Sequence, residues 1–345
     1  MKKYYSRLII PLVVLLSFTT ANAQLFRTTS KVGTTAAQFL KIGAGARAIG
    51  MGGAYSAVGT DIYSTYWNPA GIAHSTNNGE VTFNHAAWLA DISYDFAAGA
   101  INVPDLGTLF INLTSLSVPE DKVRTEDYPE GNGEVWDAKS LAIGIGYARK
   151  LTDRFSIGFT AKYVREAIWN ESSNGFAIDF GTYYITPFND LVIGASITNF
   201  GTKMKLDGRD IQFNMDPNNT TNSGPNNVQS VYQMESFDMP LAFKLGLSMN
   251  VIKNQYMRAT VAVDATHPND NTEYVNTGIE LGYQEMVFLR AGYKSLFLRD
   301  SEQGLTLGAG VHYDFDGGFG VKFDYGWADY GRLKNVQFID VTLSF

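Results

Sequence analysis

Gly43-Ala44-Gly45-Ala46-Arg47-Ala48 has the spacing of a G-x-G-x-x-A phosphate cradle, in which glycines let a pyrophosphate approach the backbone where a helix begins. That chemistry needs a strand before the loop and a helix after it. No β-branched strand precedes Gly43, and Gly50, Gly52 and Gly53 break the helix that should follow, so a nucleotide site is not assigned. His74, His85, His267 and His312 offer metal-ligand or general-base chemistry. They are scattered, with no i, i+4 pair and no H-E-x-x-H, and no Ser-His pair on the wall strands announces itself, so no metal, cofactor or catalytic residue is assigned. Asn214 to Asn227 is rich in Asx oxygens, but it lacks the glycine and glutamate that an EF-hand needs at its sixth and twelfth positions. It reads as a polar surface loop.

The chain therefore shows no enzyme by its motifs, and the elements themselves must say what it is. Cysteine is absent, which removes disulfides, thiolate metal sites and lipid attachment through cysteine. Gly 34, Phe 22, Tyr 19 and Trp 5, with 18% charged residues, suit many strands joined by tight turns. Lys2, Lys3 and Arg7, the apolar run "LIIPLVVLLSF" and Ala21-Asn22-Ala23 form the basic, apolar and cleavage regions of an export signal, residues 1–23. Mature chain is expected from Gln24. Loss of those three cations takes the formal charge from −7 to −10, which disfavours nucleic acid as a partner. Beyond the leader there is no apolar run of about 18 residues, so a helical span is excluded.

Alternation gives the architecture. In "LAFKLGLSMNV", from Leu241, one face is wholly Leu, Phe, Met and Val while the other is Ala, Lys, Gly, Ser and Asn. "LAIGIGYAR", "FSIGFTAKY", "LTLGAGVHYDF", "FGVKFDYGW" and "IDVTLSF" repeat it. A second face so poor in Lys and Glu suits the lumen of a barrel in lipid, with the apolar face outward. The segments number about 14 between residues 80 and 345, each near the length a tilted spanning strand needs. The expected fold is an all-β, antiparallel transmembrane barrel over 80–345. Tight turns such as "PDLG", "LTDR" and "PFND" alternate with longer connections, notably Val118 to Trp136 and Gly201 to Asp238, which are placed outside the cell. Lys162, Lys244, Lys322, His312, Asp314, Asp324 and Asp340 fall on inward faces.

A barrel of that size leaves a lumen that its wall side chains cannot fill. Residues 24–79, rich in Gly and Ala yet too apolar for a linker, are expected to fold inside it as a hatch. Asn68-Pro69 should turn the chain there.

"GARAIGMGGAYSAVGTDIYSTYWNPAGIA", Gly45 to Ala73, resembles the N-terminal hatch of the FadL-like superfamily of 14-stranded outer-membrane barrels, and "AAQFLKIGAGARA" brings it closer to the PorV/PorQ family. The likeness is dense over about residues 37 to 75 and architectural beyond. On it, Gly45, Arg47, Gly50, Gly52, Gly53, Asn68, Pro69, Ala70 and Gly71 are the hatch motif. Phe345, closing a strand with Leu343, Val341 and Ile339 on one face, resembles the insertion signal of outer-membrane barrels. The resemblance implies a non-enzymatic outer-membrane component of the type IX secretion system, in contact with lipid, secreted proteins and secretion machinery. For the FadL relatives it implies transport of hydrophobic compounds instead.

Overall fold

The computed structural model describes residues 30–216, 227–315 and 318–345. The export signal lies outside the described residues, as does most of the Asn-rich stretch.

Fourteen strands run in chain order: β1 Gly79–Ala87, β2 Ser93–Val103, β3 Gly107–Lys122, β4 Val135–Thr152, β5 Phe155–Ile168, β6 Glu171–Ile185, β7 Val192–Gly201, β8 Ala242–Lys253, β9 Met257–Pro268, β10 Tyr274–Tyr283, β11 Val287–Leu296, β12 Leu305–Phe315, β13 Phe319–Asp329 and β14 Asn335–Ser344. Each pairs antiparallel with its neighbours in sequence, and β1 pairs with β14 from Glu80↔Ser344 to Ala87↔Gln337. The sheet is therefore a closed 14-stranded barrel without a free edge, which is what a strand protein needs where no water is present to pair backbone groups.

The sequence alternation becomes the wall. On β1, Val81 and Phe83 point outward, half-exposed, while Glu80, Thr82 and Asn84 are buried on the inner side. Leu245, Leu289, Val311, Phe323 and Val341 extend the outward apolar band around the ring. A globular protein in water would not leave so many large apolar side chains on its surface; facing acyl chains they cost nothing.

The connections differ between the two rims. At one, β2–β3, β4–β5, β8–β9 and β10–β11 turn within two or three residues, and both Gly79 and Phe345 lie there, joined by Gly79 N–H to Phe345 C=O at 2.8 Å. This is the periplasmic rim by the usual asymmetry of such barrels. At the other rim the segment Val118 to Trp136 is a loop over residues 123–134 but begins and ends in strand. After an irregularity between Val118 and Asp121, β3 and β4 stay paired to Lys122↔Val135 and stand out as a ribbon. The acidic residues hid this from sequence, because a ladder already in register continues on backbone hydrogen bonds whatever its side chains. The segment Gly201 to Asp238 carries a short ladder of Gln212–Met215 with Val228–Val231, and Met204–Lys205 paired with Ser236–Phe237.

The N-terminal segment makes only short helical turns: Gln38–Lys41, Ala46–Gly50, Ser64–Trp67 and Gly71–His74. Its side chains, including Phe39, Ile49, Met51, Tyr55, Ile62, Tyr63 and Trp67, form the main buried cluster with inward residues of the wall. Thr35 bridges Asp238 at the long-loop rim. The chain then crosses to Gly79 at the opposite rim.

Candidate functional site

The site is the contact between the N-terminal segment and the inner face of the barrel. An irregular backbone buried there has donors and acceptors that no helix or sheet satisfies, and each left unpaired would cost about 1–3 kcal/mol. The wall supplies the partners. Asp340 of β14 accepts from Ala46 N–H at 2.5 Å, Asp264 of β9 from Tyr55 and Ser56 N–H at 3.1 and 2.8 Å, and Glu80 of β1 from Ile62 N–H at 2.8 Å. Asn112 of β3 donates to Thr65 C=O, Ser156 of β5 to Ala70 C=O, Ser196 of β7 to Trp67 C=O and Ser248 of β8 to Ala57 C=O. These strands lie all round the ring, so the small polar inward face seen in the sequence is a set of hydrogen-bond partners for one particular peptide path.

Close approach explains the glycines. Gly52 has φ +67, and a Cβ on it would stand 2.6 Å from Thr277 O and 2.8 Å from Tyr293 N. Gly45, at φ +91, lies against the Tyr63 ring. Gly50 faces Gly308 of β12, and a Cβ there would be 2.9 Å from its Cα. Gly53 packs beside Trp67 and Gly71 against Gly59. Asn68 turns the chain as a three-way clamp: its amide donates to Ser56 C=O at 2.7 Å and Thr182 C=O at 3.0 Å, while Oδ1 accepts from Ala70 N–H at 3.2 Å. Pro69 and Ala70 lie against Gly158 of β5.

Arg47 carries the charge. Its guanidinium grips Glu280 of β10 through two bonds of 2.7 Å and reaches Asp61 at 2.8 Å, which also accepts from Tyr55 O–H at 2.5 Å. Glu280 is fully buried and receives Arg290 at 2.7 Å and Arg258 at 2.9 Å as well. Arg290 continues to Asp324 at 2.5 Å, and His312 joins Asp324 at 3.0 Å. Lys322 pairs with Glu80 at 3.3 Å and Lys162 with Asp179 at 2.7 Å. Sequence alternation placed Lys162, Lys322, His312, Asp324 and Asp340 on this face; it did not single out Glu280, Arg290, Asp264 or Asp179. The available signal was an isolated charge on a small-residue face, as Glu280 is in "NTGIELGY".

Two cavities flank the segment. Towards the periplasmic rim lies one of about 650 Å³, lined by charged and polar groups including Arg47, Asp61, Arg258, His312 and Lys322. His74 borders it; burial, with the nearby Lys150, pulls its imidazole down to about 4. Towards the long-loop rim lies one of about 40 Å³, bordered by Lys41, Trp67, Lys244, Asn276 and Lys294. Asp270, in the β9–β10 loop, resists the upward push of burial because Lys41, Gln38 and Thr35 bond to it, and its carboxyl is held below the usual carboxylate range.

The family profile of the type IX secretion system protein PorV matches residues 26–272, which holds all of the described N-terminal segment and the first nine strands. The chain belongs to the PorV family. A comparison with curated protein sequences finds no match. Among solved structures, the Pseudomonas putida toluene transporter TodX aligns with a TM-score of 0.54 and 13% identity over 88% of this chain and 97% of that one. The Ralstonia pickettii toluene transporter TbuX gives 0.54 and 12% over 87% and 97%, and a Pseudomonas aeruginosa FadL homologue 0.51 and 11% over 88% and 98%. At such identity these likenesses speak to fold alone. A PorV-family chain with a closed barrel of this type is an outer-membrane protein.

Proposed function

We propose that this protein works without catalysis in protein secretion or surface attachment, as a PorV-like component of the type IX secretion system, with residues 24–79 as a hatch in the lumen of the 80–345 barrel. Export through a cleaved signal over residues 1–23 and insertion guided by Phe345 belong to the same reading. The observation that carries it is the family match over residues 26–272. Its partners would be secreted proteins or secretion machinery met at the long-loop rim, which carries the charged β3–β4 ribbon and the short ladders within the Gly201 to Asp238 segment.

Transport of a hydrophobic compound is the second reading, favoured by the likeness in fold to the toluene transporters. Against it, the cavity above the segment is small and bordered by three lysines, and the larger one below is lined by charge. Neither suits an apolar passenger.

The test excises residues 209–232, sparing Asp238 and its bridge to Thr35. Surface connections tolerate such shortening, so the barrel should still fold and show heat-modifiable migration. Exported proteins in the supernatant and on the cell surface should fall while uptake of labelled toluene and fatty acid is unchanged. Intact export with lost uptake would reject the secretion reading in favour of transport.

A further inference from the structure

We propose that the cavity bounded by Lys41, Trp67, Lys244, Asn276 and Lys294 binds one small inorganic anion of about the size of chloride, held between the N-terminal segment and the wall. Lys294 of β11 is 7% exposed, and its ammonium donates to Ile42 C=O at 3.2 Å. The Lys244 ammonium of β8 sits 4.7 Å from the centroid of the Trp67 ring. Among the described residues neither ammonium has a carboxylate within 4 Å. Lys41 is the third cation, and its charge is already met by Asp270 at 2.7 Å. Asp264, on the strand next to β8, is beyond ion-pair reach and commits one oxygen to the Tyr55 and Ser56 amides.

A buried ammonium on Lys294 beside the partly buried Lys244, with a carbonyl and a ring face as their partners, is a poor balance, since a buried cation is ordinarily neutralised by a counter-charge. A water molecule would satisfy donors but not charge. The volume, about 40 Å³, admits two or three waters or one monatomic anion. Further donors face the same space: Asn276 accepts from Ser295 N–H at 2.8 Å through Oδ1, which leaves its NH₂ group for the anion. A carboxylate with an alkyl chain does not fit so small a volume. Because Trp67 and Lys41 come from the segment and Lys244 and Lys294 from the wall, the anion would act as a counter-ion shared across that contact.

The experiment uses the full-length mature protein in detergent. At constant ionic strength, replacing gluconate by chloride should raise the unfolding midpoint progressively as chloride exceeds its dissociation constant, because a ligand bound only by the folded state stabilises it by mass action. Crystals soaked in bromide should show one anomalous peak within hydrogen-bonding distance of both Lys244 and Lys294. Lys294→Met and, separately, Lys244→Met should abolish the chloride dependence and the peak. A wild-type midpoint indifferent to chloride, bromide only at the protein surface, or an undiminished dependence in both variants would overturn the assignment. Should one variant fail to fold, the other variant and the wild-type bromide map still decide it.

Discussion

Arg47→Met isolates the tie between the N-terminal segment and the wall. The substitution keeps an unbranched side chain but removes two guanidinium bonds to Glu280, one to Asp61 and the guanidinium's place over the Tyr55 ring. Breaking a buried pair costs about 3–5 kcal/mol when the remaining charge is stranded. Here Glu280 keeps Arg258 and Arg290, and Asp61 keeps the Tyr55 hydroxyl, so the lower end applies, about 3 kcal/mol. At 1.4 kcal/mol per factor of ten, the segment should open roughly a hundred times more often. Hydrogen exchange in detergent reads this directly. The Ile49 amide, bonded to Gly45 C=O, and the Gly53 amide, bonded to Ala48 C=O, should exchange about a hundredfold faster, while amides in the β14–β1 seam keep their wild-type rates. Arg47→Lys should recover little, since an ammonium cannot make the paired contact with Glu280. Equal acceleration in the segment and the seam would show that the two unfold as one unit, and unchanged segment exchange would show that the ion network contributes nothing to holding it; either result refutes the argument.

Leu245 faces outward and Lys244 inward, so Leu245→Arg should lower stability in liposomes by about 2–4 kcal/mol near the midplane, with a smaller loss for Lys244→Ala; the reverse order in urea unfolding would invert the wall. Deleting residues 28–74 should leave a folded barrel with much higher single-channel conductance, and unchanged conductance would mean the lumen is blocked by something else. His74 is neutral in the fold with its ionisation displaced downward, so the folded state resists a proton that the unfolded chain accepts near 6.5. Its stabilising contribution is whole above that pH and is lost as pH falls towards about 4, where exchange at Ile72 to Ser75 should rise in wild type but stay flat over that range in His74→Asn.

The barrel was legible because its wall repeats one rule: an apolar residue every second position, as in β8 and β14, is visible in any single strand. Strand number followed from turns such as "PDLG" and "LTDR". The β3–β4 ribbon was not legible, because outside the membrane both faces meet water and alternation disappears. In the N-terminal segment the glycine positions were visible, but their partners were not. That Gly50 meets Gly308, or Arg47 meets Glu280, depends on pairing across more than two hundred residues, for which local sequence carries no period. Asn68 announced a turn through the proline after it; its grip on Thr182 could be known only with β6 in place.

The seam between β1 and β14 also sets an order of events. A ring whose first strand pairs with its fourteenth is complete only when that last hairpin zips, yet residues 35–74 thread the space inside, from Asp238 at one rim to Gly79 at the other. Their polar backbone must find Asp264, Asn112 and Asp340 on strands far apart in the chain while the wall is still open or closing. Nearly every contact that fixes the segment spans a long stretch of chain, and such contacts form late and slowly. Assembly should therefore be limited by enclosing the segment, and a barrel that closes first would have to admit it lengthwise through a mouth.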